Sequence, residues 1–319
     1  MPSPGGAGMA GLWLYTSLFV FRGNGNAFMH PLIKLLRPHQ YLKNGFVLIG
    51  PLFGHQWDSA TLVQAGLAFV AFCAMASAVY VLNDLVDVEA DRLHPTKCKR
   101  PLPSGQVPLG MAKGLLAGLV CVALVLAMLV SVWVTALVSA YFVLNVLYSW
   151  RLKHVVILDV FIISAGFMLR ILAGTVGLGI APSGWLLLCG LMVTLFLGFS
   201  KRRAELLMLE NAGISEDGAV TRRVLDDYSP AMLEQFIGVT AACTILSYGS
   251  YTVSPQTVAL HGSEQLIYTL PFVVYGIFRY LFLLHHHAKG NDTARDLVTD
   301  KHLLVTVAGW VAVTMWVLA

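Results

Sequence analysis

Asn83-Asp84-Leu85-Val86-Asp87-Val88-Glu89-Ala90-Asp91 closes an apolar run, residues 61–83, that is long enough to cross a bilayer as a helix. Continued as helix, it brings Asp84, Asp87 and Asp91 to i, i+3 and i+7, within about 60° of arc on one face, and turns Glu89 away. Three like charges so placed repel one another unless a cation lies between them. Mg²⁺ typically takes one or two carboxylates together with substrate phosphates. The stretch therefore reads as a metal-diphosphate site. The plainer alternative is a solvated acidic helix end. The neighbours argue against it, with a membrane span before the run and a basic segment after it: Arg92, His94, Lys97, Lys99 and Arg100.

Outward from this stretch the chain is apolar almost throughout. Of its 319 residues 57% are hydrophobic and 12% charged, with a mean hydropathy of +0.72, where a soluble domain carries about 25% charged residues. The chain divides into about nine apolar spans, 40–56, 61–83, 109–131, 132–150, 156–178, 184–204, 230–252, 266–286 and 302–319. They are apolar all round and lack a ten-residue alternation, so the expected fold is an all-α polytopic membrane protein and not a barrel. Lys and Arg gather after the second, fourth, sixth and eighth spans and are absent near 57–60, 131–132, 179–183 and 253–265. The positive-inside rule then places the N-terminus and the acidic stretch in the cytoplasm. A net charge of +4 needs no nucleic-acid partner, because basic cytoplasmic loops facing anionic lipid account for it. The five cysteines have no metal-site spacing and are expected as free thiols.

Residues 1–29 form a Pro/Gly-rich N-terminal extension with an apolar run too short to span comfortably, and Met29 is an alternative start. Arg37, Lys43 and Asn44 cluster at the cytoplasmic mouth of the first span, either as an interfacial collar or as anion ligands. Pro95 ends any helix near His94, and Lys97 to Gly105 is a basic, Pro-punctuated loop suited to covering phosphate. Tyr148-Ser149-Trp150-Arg151-Leu152-Lys153-His154 follows the fourth span. Asp159 and Arg170 lie in the fifth, about three turns apart and too far to pair directly. Ionisable residues within a span face its interior or a polar cavity, which makes both functional candidates. Lys201 and Arg202 extend the basic ring, with Lys201 and Glu205 spaced for a surface ion pair. The polar loop 207–229 is expected to cap the same face. His285-His286-His287 reads as an interfacial anchor, since consecutive helical positions diverge by about 100°.

In this order the residues resemble the UbiA superfamily of intramembrane transferases, and within it the decaprenyl-phosphate phosphoribosyltransferase branch. The marks are R-P-x-Q-Y-x-K-N at 37–44, N-D-x-x-D-x-x-x-D at 83–91 continued by H-P-T-K-x-x-R-P to Pro101, Y-S-x-x-L-K-H at 148–154 with Asp159, L-R-x-x-A-G at 169–174 and K-R-x-A-E-L at 201–206. The resemblance covers residues 30–319. It implies one transmembrane domain, about nine helices around a central cavity, with cytoplasmic cap loops near 84–108 and 200–229. One departure stands out. Aromatic prenyltransferases of the superfamily carry a second aspartate pair after the fourth helix, where this chain offers Tyr148, Lys153 and the single Asp159.

The resemblance leads to the expectation of a Mg²⁺-dependent phosphoribosyltransferase that moves a 5-phosphoribosyl group from phosphoribosyl diphosphate to a polyprenyl phosphate. It would sit in the bacterial inner membrane with its site facing the cytoplasm. Asn83, Asp84, Asp87 and Asp91 would hold the metal. Lys43, Lys153, Arg170, Lys201 and Arg202 would meet the two sets of phosphates, with Asn44, Tyr148 and Asp159 beside them and Arg37, Lys97 and Arg100 as loop contacts. The alternatives are prenyl transfer from a prenyl diphosphate to an aromatic or other small acceptor, and transport of a phosphorylated metabolite. The missing second aspartate pair weighs against the first, and the lack of internal symmetry against the second.

Overall fold

The computed structural model describes residues 30–93, 97–212, 225, 227–287 and 299–318. The expected N-terminal extension, His94 and Pro95, the charged positions of the 207–229 loop from Glu210 to Asp226 and the stretch 288–298 lie outside the described residues or side chains.

A short helix, α1 (Pro31–Leu36), leads to a segment that departs from the expected first span. Residues Pro38–Leu48 wind as a 3-10 helix into a brief α2 (Ile49–Phe53). Among the described residues eight single helices are long and apolar enough to cross a membrane; residues 38–53 add a shorter run in two pieces, leading from Arg37 beside Asp84 toward the far end of the helix that bears Asp84. This run is packed by backbone contact. A Cβ on Gly50 would stand 1.7 Å from the Gly174 carbonyl oxygen, and one on Gly174 would stand 1.8 Å from that of Val47. The segment lies directly on its neighbour with no side chains between, much as small residues allow in membrane helix pairs. Gly174→Ala has no room to relax and is expected to cost more than about 3 kcal/mol, as overpacking against rigid backbone does. The fraction of protein surviving brief heating in detergent measures it.

The helix carrying the acidic stretch, α3 (Ser59–Val86), is capped by Asp58, whose carboxylate accepts the Thr61 amide at 3.0 Å. Its 28 residues reach about 42 Å. Ala65, Ala68, Ala71, Ala76 and Ala78 are buried along it, and Ala112, Ala123 and Ala127 answer them from α5 (Leu109–Val130). Ser131 alone separates α5 from α6 (Val132–Trp150); its hydroxyl accepts the Val134 amide and donates to the Gly177 carbonyl at 2.7 Å. There follow α7 (Leu158–Gly174), α8 (Gly184–Ala212), α9 (Pro230–Val253), a short α10 (Pro255–His261), α11 (Leu270–His287) and α12 (Lys301–Leu318). No strand occurs among the described residues, and the five cysteines are unbridged.

Two apolar cores flank α7. One joins Val47 and α3 to α5 and α6, and the other joins α8, α9, α11 and α12. Successive long helices alternate in direction, so the ends of α3, α6, α8 and α11 and the starts of α5, α7, α9 and α12 share one face. Ties at that face include Arg279 on Asp300 at 2.8 and 3.2 Å and both Arg203 and His285 on Glu234. Asp300 also caps α12 through the Leu303 amide. The Arg279 guanidinium, with that amide, holds its carboxyl down at about 2.

Candidate active site

The segment after α3 does not continue as one helix. Asp87 takes φ −90° and ψ 4°, and a separate turn of helix, α4 (Val88–Leu93), begins beyond it. The amides of Asp87 and Asp91 still reach back four residues, so Asp84 and Asp91 stay on one side. Asp84 is 3% exposed and Asp91 4%, whereas the Asp87 side chain is 44% exposed. This corrects the expectation of a three-carboxylate face: Asp84 and Asp91 converge and Asp87 does not. Among the described residues no three acidic, histidine or cysteine side chains are grouped to hold an ion.

Cations occupy the space between these acids. Arg100 Nη1 donates to Asp91 Oδ2 at 2.7 Å and to Asp84 Oδ1 at 3.3 Å, so one nitrogen bridges both carboxylates. Arg37 Nη2 donates to the same Asp84 oxygen at 2.7 Å. Lys97 Nζ stands 3.8 Å from Asp91, and Lys153 Nζ 3.8 Å from Asp87. Each cation is placed from a different element. Arg37 sits in the left-handed region at φ 50°, between α1 and the 3-10 helix, with its guanidinium 4.7 Å above the Tyr80 ring. The Tyr41 hydroxyl meets Ser77, which donates to the Leu36 carbonyl, so this strap is tied to α3. Arg100 is carried by a loop whose Leu102 and Val107 are buried against Leu35, Val81, Val88 and Ala112. Asn83 accepts the Ser149 hydroxyl at 2.5 Å, joining α3 to α6. Lys43, Tyr148 and Lys201 are half-buried on their elements.

The acid pair fits a divalent cation. Two buried carboxylates already converge on one nitrogen of a cationic group, and carboxylate oxygens are the donors such a cation takes. An apolar cleft of about 450 Å³ between α6, α7 and α8, lined by Leu144, Phe161, Met168, Leu172 and Leu191 among others, offers no polar side chain to a phosphate.

Three expected anion ligands lie elsewhere. Arg170 donates from Nε to Asn44 at 2.7 Å, from Nη1 to the Gly166 carbonyl at 2.7 Å and from Nη2 to the Tyr141 hydroxyl at 3.1 Å. The Tyr141, Phe167 and Phe72 rings stand 4.5 to 5.5 Å from it. It is a clamp between α7, α6 and the 3-10 helix, and its charge is spread over neutral acceptors and ring faces. Asn44 is fully buried in that clamp, its amide directed to Cys73 Sγ. Arg202 and Asp159 are each 0% exposed and face each other at 2.9 Å, with Glu205 on the other side of the guanidinium. Glu205, spaced for Lys201, thus takes Arg202. As foreseen from their separation, Asp159 and Arg170 have different partners.

Tyr228, which sequence reasoning passed over, completes this second cluster. Its hydroxyl donates to Asp159 Oδ1 at 2.8 Å and accepts the Ile157 amide at 2.7 Å. Ile157 is at φ 66°, in a tight turn closed by Leu158 onto Val156, a strained setting for a β-branched residue. Burial, and the carboxylate it serves, push the Tyr228 hydroxyl well above the usual phenol range. The signal in sequence was faint: a tyrosine just before the Ser229 cap of α9.

The sequence pattern of the UbiA prenyltransferase family matches residues 45–298. A decaprenyl-phosphate phosphoribosyltransferase from Corynebacterium glutamicum is 36% identical over 88% of this chain and 84% of its own length; one from Mycolicibacterium smegmatis is 37% identical over 88% and 90%. In structure the chain is similar to a UbiA homolog from Archaeoglobus fulgidus bound to GPP and Mg²⁺, with a TM-score of 0.66 at 16% identity, covering 90% of this chain and 99% of that one. A second form of that homolog, bound to Cd²⁺, gives 0.63 at 14% identity, covering 90% and 99%.

Proposed function

The chain belongs to the UbiA prenyltransferase family and is a multi-pass integral membrane transferase, and from that premise we propose that it moves a 5-phosphoribosyl group from phosphoribosyl diphosphate to a polyprenyl phosphate, releasing diphosphate. The observation that carries this reading is the pair Asp84 and Asp91 meeting on Arg100, inside a ring completed by Arg37, Lys97 and Lys153. Two polyanionic reactants need such an excess of cations. The named phosphoribosyltransferase relatives support the same choice.

Asp84 and Asp91, with Asn83 beside them, would hold Mg²⁺, which supplies charge neutralisation for the departing diphosphate. Arg37, Arg100, Lys97 and Lys153 bind and orient the diphosphate as the C1–O bond breaks and its electrons leave with the diphosphate oxygen. The lipid phosphate is already an anionic nucleophile, so its oxygen attacks C1 without a strong general base. Lys43 and Lys201 are assigned to that second phosphate, and Tyr148 to the space between the two. The polyprenyl tail leaves sideways between helices into lipid. By the distribution of Lys and Arg, the site faces the cytoplasm across a bacterial inner membrane. Prenyl transfer with two metals is disfavoured because Asp159, the lone acid at the second position, is committed to Arg202 and Tyr228.

The test uses purified protein in lipid nanodiscs with Mg²⁺, labelled phosphoribosyl diphosphate and a polyprenyl phosphate. Label is expected to become lipid-extractable only when all three are present. Turnover of a prenyl diphosphate with an aromatic acceptor instead would replace this reading with the conventional one.

A further inference from the structure

Resting on the function proposed above, we infer that Arg100 decides in which form the metal is admitted: it holds Asp84 and Asp91 against a bare divalent cation and yields them to one that arrives on a diphosphate. The bridging nitrogen is the starting point. Arg100 Nη1 contacts an oxygen of each buried acid, which is the place a small cation would take. A bare cation must therefore displace a guanidinium from two buried carboxylates. The charge-assisted contacts of Arg100 to both acids oppose that exchange.

The local charge count points the same way. Arg37, Lys97, Arg100 and Lys153 bring four positive charges to the three negative charges of Asp84, Asp87 and Asp91. A lone divalent cation adds to an existing excess. A metal-bound diphosphate brings net negative charge, and its oxygens offer Arg100 a new bidentate partner as it lets go of the acids. Arg100 is the more exposed of the two arginines, 34% against 26% for Arg37, and Arg37 also lies 4.7 Å above the Tyr80 ring. The turn after Arg100 is anchored by Leu102 and Val107, so the side chain can swing while the loop stays in place.

The probe is Mn²⁺, measured as the amount retained by protein-loaded nanodiscs above that retained by empty ones after removal of unbound ion, with and without inorganic diphosphate at matched total Mn²⁺. Wild type is expected to bind Mn²⁺ at least tenfold more tightly when diphosphate is present. Arg100→Gln is expected to bind Mn²⁺ alone at least tenfold more tightly than wild type and to lose most of the dependence on diphosphate. Arg100→Lys, which keeps a charge at the bridge, is expected to restore that dependence. Arg92→Gln, at an exposed arginine paired with Glu89, should behave as wild type. If wild type binds Mn²⁺ equally well alone and with diphosphate, the inference fails while the proposed function stands, and this arm needs no variant to fold. If Mn²⁺ binds under neither condition, the site itself has been misread and both fall.

Discussion

Asp84→Asn is expected to lower the rate of lipid labelling by about a thousandfold, equivalent to about 4 kcal/mol of barrier, with little change in how much folded protein is recovered. The amide has nearly the shape of the carboxylate and can still accept a hydrogen bond from Arg37. What it lacks is the negative charge that, with Asp91, would hold the metal and that balances two guanidinium groups. Asp87→Asn is expected to cost only about tenfold, because its exposed carboxylate meets Lys153 at 3.8 Å and does not join the other two acids. Initial rates of both variants, measured beside their thermal unfolding, give the comparison. Equal losses in the two would mean that all three acids act together, as the uninterrupted helix of the sequence reading supposed.

Arg202→Met is expected to lower stability by about 3–5 kcal/mol, because it strips the counterion from the fully buried Asp159. Tyr228 would then be the main group left on that carboxylate, and the strained turn at Ile157 would lose part of its support. Pairing the change with Asp159→Asn should return much of the loss, since the double variant leaves no fully buried charge unpaired and Glu205, the other partner of Arg202, is 19% exposed. A thermal-unfolding double-mutant cycle in one detergent measures the coupling. Per folded molecule, activity should stay within a few fold of wild type. An unchanged melting temperature together with a raised KM for phosphoribosyl diphosphate would instead return Arg202 to the phosphate site.

These two expectations divide between what could and could not be foreseen. Asp84 and Asp91 were visible because seven residues return a helical face nearly to its starting direction, whether or not the helix falters on the way. Asp87 was misjudged because a single residue at ψ 4° redirects a side chain without altering the pattern around it. Arg170 was marked as a costly charge within a span, and Arg202 as part of the basic ring at a span's end. Their partners, Asn44 and Tyr141 for one and Asp159 and Glu205 for the other, come from distant helices or a neighbouring turn, and spacing in the chain does not rank such choices.

By itself the sequence determined the all-helical membrane fold, the face on which charge collects and the motif from which the proposed chemistry is argued. Those follow from transfer of side chains into lipid and from the 3.6-residue period, both local properties. Only the tertiary structure decided that residues 38–53 wind tightly against Gly174, and which cation neutralises which acid. Contact between backbones and the pairing of buried charges depend on what the rest of the fold brings within a few ångströms, where desolvation makes each pairing strong enough to exclude the others.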